Sequence, residues 1–175
     1  MGNCFGCDVA AGKKTGLHDL KYVVELDGGW ILNHNSDEKS YLGYLILATK
    51  KHVEDLDNLS LEQASTLGTN IKRINDSLKK YWLSNFDDTI ERIHIAYLNE
   101  GPFIAKDMTR SHVHFHIVPR TKKMIPDYNG NKIGWHLLEY FDQFPEYLRK
   151  SNGNKKELML YLKNSLTQTM HHLSL

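Results

Sequence analysis

From His112 to Val118 the chain alternates histidine with apolar residues: His-Val-His-Phe-His-Ile-Val. Successive side chains of a β-strand point to opposite faces, so this alternation predicts a strand with His112, His114 and His116 on one face. Val113, Phe115 and Ile117 then face a core. At a rise of ~3.3 Å per residue, neighbouring imidazoles stand about 7 Å apart. Upstream, Lys21–Leu26 reads as a strand closed by the turn signal Asp27-Gly28-Gly29, with Trp30–Asn33 as its hairpin partner. A polar stretch, His34–Ser40, leads to Tyr41–Ala48, an apolar run of strand length. Arg92–Leu98 is a further strand, in which His94 is an ordinary strand-face histidine between Ile93 and Ile95.

Between these strands the period changes. Ser60 with Gln63 three residues on forms a capping box at the start of a long helix. Leu61, Ala64, Leu67, Ile71, Ile74, Leu78 and Trp82 recur at helical spacing and give it a core face. Lys72, Arg73, Lys79 and Lys80 form its solvated face. Asn99–Ser111 is a loop. Beyond Arg120 comes the polar segment Lys122–Asn131, then two helical stretches, Gly134–Phe144 and Asn154–Met170. In the second, Asn154 and Glu157 again fit a capping box, and Leu158, Tyr161, Leu162, Ser165 and Leu166 make an apolar stripe that docks on the sheet or on a subunit partner. The sum is an α+β protein: a mostly antiparallel sheet of about five strands, one long helix and a helical C-terminal extension. The expected division is 1–121 for the domain bearing the histidines and 122–175 for the extension packed on it.

Composition narrows the function. The formal net charge of the 175 residues is +1, which gives no global field toward nucleic acid or a membrane surface. No apolar run approaches the ~20 residues that span a bilayer. The N-terminal residues have no basic region followed by an apolar one, and Gly6 stands where a myristoylation signal carries Ser or Thr. A soluble, cytoplasmic protein is expected. The two cysteines, Cys4 and Cys7, form one Cys-x-x-Cys pair. Two thiolates at that spacing grip one tetrahedral zinc if two more ligands arrive from elsewhere; otherwise they are surface thiols. A redox role fits poorly, because no strand precedes the pair. Three imidazoles in register suit nucleophilic, acid–base or metal chemistry near neutral pH.

These segments together resemble the histidine triad family of nucleotide hydrolases and transferases. His112–Val118 matches the family's His-φ-His-φ-His-φ-φ motif, φ being apolar. Gly43 through His52, ending Lys50-Lys51-His52, is similar to its glycine, apolar strand and Lys-x-His segment, and Asn99-Glu100-Gly101 to its Asn-x-Gly turn. The resemblance covers about residues 1 to 121. It implies that His114 is a nucleophile toward the α-phosphate of an AMP-containing nucleotide. The His112 carbonyl would hold its ring, and His116 would contact the phosphate. Asn33, Asn99 and Thr109, with His116, are the implied nucleotide contacts. The Cys-x-x-Cys branch of the family implies a structural zinc on Cys4, Cys7, His52 and His112, and the family as a whole implies a homodimer. Lys106, Arg110, Arg120, Lys122 and Lys123 flank the triad against one acidic residue, Asp107; they are either a field for polyphosphate or a solvated rim. Three positions depart from the pattern. Met108 replaces a Gln, Tyr44 replaces the His of a Gly-His pair, and Thr49 replaces the Pro before Lys-x-His. The missing Gln favours a rival reading, a zinc-stabilised nucleotide-binding or adaptor protein with little turnover.

Overall fold

The strands are β1 (Val24–Leu26), β2 (Trp30–His34), β3 (Leu45–Thr49), β4 (Ile90–Tyr97) and β5 (His114–Thr121). They form one antiparallel five-stranded sheet in the order β1-β2-β3-β5-β4. The helices are α1 (Phe5–Ala10), α2 (Leu61–Asn85), α3 (Glu146–Arg149) and α4 (Asn152–Gln168). This computed structural model describes residues 4–37, 39–98, 111–124, 141–149 and 152–168. Among them no helix is long and apolar enough to cross a membrane.

The hairpin between β1 and β2 turns where Gly28 and Gly29 take φ of +73° and +72°. A Cβ on Gly28 would also lie 2.0 Å from the Thr66 hydroxyl of α2, so the turn can press against that helix only as glycine. α2 starts as expected: the Ser60 side chain accepts from the Gln63 N–H, and the Gln63 side chain accepts from the Ser60 N–H. Its buried face is shorter at the start than the periodicity implies. Ile74, Leu78 and Trp82 are buried, Leu67 and Ile71 half-buried, and Leu61 and Ala64 exposed, since in the first turn it is Gln63 that faces the sheet, its carbonyl accepting from Trp30 Nε1 at 3.0 Å. Arg73 is not merely solvated. It pairs with Asp27 at 2.7 Å and donates to the Leu166 carbonyl, fastening α2 to the hairpin and to α4.

Alternation then divides the sheet. Trp30 and Leu32 of β2, Leu45 and Leu47 of β3, and Phe115 and Ile117 of β5 share the face that packs into the main core with α2 and α4. Burial of each such side chain contributes about 1.5–3 kcal/mol. Leu158, Leu162 and Leu166 of α4 join this core, together with Met159, so the apolar stripe packs on its own sheet and on α2. α4 begins at Asn152, which places Asn154 inside the helix; the expected Asn154–Glu157 capping box does not start it. Of the expected 134–144 helix only 141–144 are described, and residues 141–143 form a 3-10 turn. Tyr41–Tyr44 precede β3 as a turn rather than extending it, and β1 is limited to its last three residues.

The opposite face carries two cross-strand rows. Ile31, Ala48 and His114 lie side by side, and so do Asn33, Ile46, His116 and Ala96. Cross-strand neighbours share a face, so the register alone gathers two histidines, an asparagine and a small apolar floor. α1 covers part of this floor through Val9, packed with Val23, Ile31 and Ala48.

Candidate metal centre and adjoining cleft

Two backbone features bring α1 against the histidine strand. Cys4 is the residue just before the helix, and Gly6 packs its backbone directly on the His112 ring, where a Cβ would lie 2.8 Å from Nδ1. As a result Cys4 Sγ lies 3.4 Å from His52 Nδ1 and 3.1 Å from His112 Nδ1. Cys7 Sγ lies 3.4 Å and 3.7 Å from the same atoms. All four donor atoms fall within 4.8 Å of one another. In a zinc tetrahedron with Zn–S ~2.3 Å and Zn–N ~2.0–2.1 Å, sulfur and nitrogen are about 3.5–3.6 Å apart, so the donor set fits such an ion.

The other ring nitrogens support that fit. His112 Nε2 donates to the Thr49 carbonyl at 2.8 Å, with the Thr49 hydroxyl 3.0 Å away, and His52 Nε2 lies 3.3 Å from a Glu54 carboxylate oxygen. A hydrogen bond from Nε2 fixes the tautomer that leaves Nδ1 as a bare lone pair facing the cysteines. Burial above all lowers the pKa of His112, which favours the neutral ring a metal requires.

Next along β5, His114 Nδ1 donates to the His112 carbonyl at 2.8 Å, which selects the neutral tautomer whose lone pair is on Nε2. His116 stands beside it with ring centroids 5.0 Å apart, and its Nδ1 is 2.8 Å from the Tyr44 hydroxyl. Burial first, then the His114 ring, lowers the His116 pKa to about 4, so this ring is neutral at pH 7.

These rings border a cleft of about 210 Å³. Its apolar wall is Phe5, Val9, Ile31, Ile46 and Ala48, and its polar rim is His18, Asn33 and residues 35–37. Asn33 is buried. Its Nδ2 lies 3.4 Å from His18 Nδ1, while its Oδ1 has no hydrogen-bond partner among the described residues. His18 Nε2 meets the Ser36 hydroxyl at 2.7 Å, and the ring packs edge-on against Phe5. Burial lowers the pKa of His18 as well.

The structure thus brings together Cys4, Cys7, His52 and His112 at one point, and His114, His116 and Asn33 around one cleft. Asn99, Thr109, Met108, Lys106, Asp107 and Arg110 lie outside the described residues. Of the remaining basic residues, Arg120 pairs with Glu91 at 3.3 Å and Lys123 with Asp87 at 2.6 Å, while Lys122 is exposed. Carboxylates therefore offset much of the local field these residues would supply. Sequence reasoning missed Phe5, His18, Ser36 and Asp37. Period-two alternation extended into β2 and β3 would have placed Ile31, Ile46 and Ala48 on the histidine face. Nothing local marks His18.

No protein-family model matches the sequence, and no curated protein matches it. Solved structures do. A Zn-bound histidine triad family protein from Mycobacterium smegmatis superposes over 97% of this chain and 97% of its own, with a TM-score of 0.57 and 19% identity. A Hit-like protein from Bartonella henselae, described as involved in cell-cycle regulation, covers 94% of this chain and 97% of its own, with a TM-score of 0.55 and 16% identity. A hypothetical histidine triad nucleotide-binding protein from Sulfolobus tokodaii covers 94% and 93%, with a TM-score of 0.53 and 18% identity. The five-stranded antiparallel sheet, the long helix and the C-terminal helix match these structures, and the chain has the fold of the histidine triad proteins.

Proposed function

We propose that this chain is a histidine triad hydrolase or nucleotidyltransferase acting at the α-phosphate of an adenosine-linked nucleotide, such as a dinucleoside polyphosphate or a nucleoside phosphoramidate. The observation that carries the reading is the hydrogen bond from His114 Nδ1 to the His112 carbonyl, which fixes the ring on the cleft wall and leaves Nε2 as the nitrogen for attack. The Nε2 lone pair attacks phosphorus, a P–N bond forms, and the bond from phosphorus to the leaving group breaks with its electron pair. Water or another acceptor then attacks the same phosphorus and the P–N bond to His114 breaks. In hydrolysis, water thereby supplies OH to the nucleotide and the proton to the departing group. Covalent catalysis replaces one hard displacement by two easier ones. His116 donates to a phosphate oxygen where charge develops. Buried Asn33 Oδ1 accepts from a ribose hydroxyl, which would satisfy an acceptor that has no partner among the described residues.

Cys4, Cys7, His52 and His112 hold a structural zinc in this reading. When bound, the ion cross-links the N-terminal segment to the strand that presents His114 and leaves no coordination position open. A reducing compartment such as the cytoplasm keeps both thiols available to it. The chain pairs as a homodimer, and with the α4 stripe packed internally, an edge strand, β1 or β4, is the place for two sheets to join. Light scattering at micromolar concentration checks this; a one-chain mass removes the dimer.

The decisive experiment incubates the protein with a panel of adenylylated compounds and follows released AMP. Enzyme quenched during turnover should carry a nucleotidyl adduct on His114 and on no other histidine. His114→Ala should lose several orders of magnitude in rate with nucleotide binding and zinc kept. His116→Ala should lose on the order of 10²-fold. Wild-type turnover in His114→Ala would move the binding or adaptor reading ahead, which Met108 in place of the usual Gln favours.

A further inference from the structure

His18 lines the cleft and is 8% exposed, yet the proposed chemistry gives it no role. It closes a single 3-10 turn, Gly16–His18, in which Gly16 takes φ of +69°. The chain just beyond is tied to α4, where Lys163 donates to the Leu20 carbonyl at 3.0 Å. Phe5 packs edge-on against the ring, with centroids 5.1 Å apart. Tertiary contacts therefore fix where this imidazole stands.

Both ring nitrogens are engaged. Nε2 lies 2.7 Å from the Ser36 hydroxyl, and Nδ1 lies 3.4 Å from Asn33 Nδ2. An amide nitrogen only donates, so His18 Nδ1 accepts, and the one proton of the neutral ring sits on Nε2 and goes to Ser36. His18 is the hydrogen-bond partner of the Asn33 side chain among the described residues, and Asn33 is itself 5% exposed on the cleft. With Nδ2 turned to His18, the end left over is Oδ1, a buried acceptor that has no partner among the described residues. Buried acceptors are seldom left so, and a ligand that donates is what would complete this one.

We infer that His18 is a positioning residue that sets substrate selectivity: it holds the Asn33 amide with the carbonyl left for a sugar hydroxyl, so the cleft selects a nucleotide whose sugar donates a hydrogen bond. The inference rests on the proposed function, because Asn33 is the group that would touch the ribose and His18 acts only through it. An amide turned over would present N–H donors instead. A hydroxyl can serve either end of an amide, whereas a fluorine in its place cannot donate. Fluorinated sugars therefore report which end the cleft presents.

The test is calorimetric titration of the full chain with AMP and with its 2′-fluoro and 3′-fluoro analogues. The wild type should bind one of the two analogues on the order of tenfold more weakly than AMP, the loss of one neutral hydrogen bond. His18→Phe keeps a ring against Phe5 but removes both nitrogens, and it should bring those two affinities together. Asn33→Ala should do the same, and the double variant should lose nothing more. His18→Gln, whose carbonyl can accept from Asn33, should restore the preference for the hydroxyl. Long-range proton–nitrogen NMR of 15N-histidine-labelled wild type needs no variant and should show His18 protonated at Nε2 alone. A proton on His18 Nδ1, equal affinities in the wild type, or a preference that survives in folded His18→Phe overturns the inference. If the preference and its loss come out as stated but no adduct forms on His114, the His18 assignment stands and the hydrolase reading falls.

Discussion

His34 gives this protein a stability that depends on pH. Its ring is fully buried, with Nδ1 donating to the Asn35 carbonyl at 2.6 Å and Nε2 accepting the Gly43 N–H at 3.2 Å. Both nitrogens are engaged by the neutral form, and burial, the largest cause, lowers the pKa from 6.5 to about 3. The unfolded chain takes up a proton as pH falls through about 6.5, and the folded chain does not until about 3. The contribution is therefore complete above 6.5 and is lost progressively as pH falls toward 3, at about 1.4 kcal/mol for each unit. Urea unfolding between pH 7 and pH 4 should show His34→Gln losing less stability on acidification than the wild type, by close to one proton in slope. Equal slopes would refute the assignment. In the sequence His34 was legible only as the start of a polar stretch, because alternation says which face a residue takes and not what meets it there. Tyr44 and Thr49 teach the same lesson. Both stood out as departures from a pattern, and both hydrogen-bond a triad histidine through a hydroxyl that strand periodicity does not register.

Elements were more legible than their partners. The histidine strand, the long helix with its Ser60–Gln63 box and the glycine hairpin follow from local rules, since each is set by residues a few positions apart. Strand ends were less clear. Tyr41–Tyr44 is as apolar as a strand, yet its apolar residues are buried by packing around a turn: Tyr41 donates to the Pro119 carbonyl at 2.6 Å and packs edge-on against Phe144. α4 could not be assigned a partner from its stripe alone, because a surface for the sheet and one for a second chain have the same composition. Its start was misread for a related reason. Asn154 lies one turn's reach from Glu157 in sequence, but neighbouring Lys155 is buried and donates to the Ser40 carbonyl at 2.9 Å, so tertiary contact holds that turn inside the helix. α1 escaped notice because six residues are too few for a periodic signal, and tertiary packing supports the helix instead.

At the scale of the molecule, the four-donor cluster joins segments that are far apart in sequence: Cys4 and Cys7 at α1, His52 just after β3 and His112 just before β5. Those two strands pair in the sheet, so the histidines arrive together once the register is set, and α1 brings both thiols to them. A zinc ion bound only by the folded chain stabilises it by mass action, about 4 kcal/mol when free zinc is a thousandfold above Kd. For a chain of this size that corresponds to roughly 8–16 °C in Tm. Elemental analysis of protein purified without added metal should find one zinc per chain. A strong chelator should lower Tm by about that amount, and Cys4→Ser with Cys7→Ser should contain no zinc, melt near the chelated wild type and be indifferent to chelator. Turnover should fall with the metal too, because the His112 whose ring it would hold is the residue whose carbonyl holds His114. A metal-free protein with a Cys4–Cys7 disulfide and an unchanged Tm in chelator would separate this cluster from zinc, leaving the cleft to be held by packing of Val9, Val23, Ile31 and Ala48 alone.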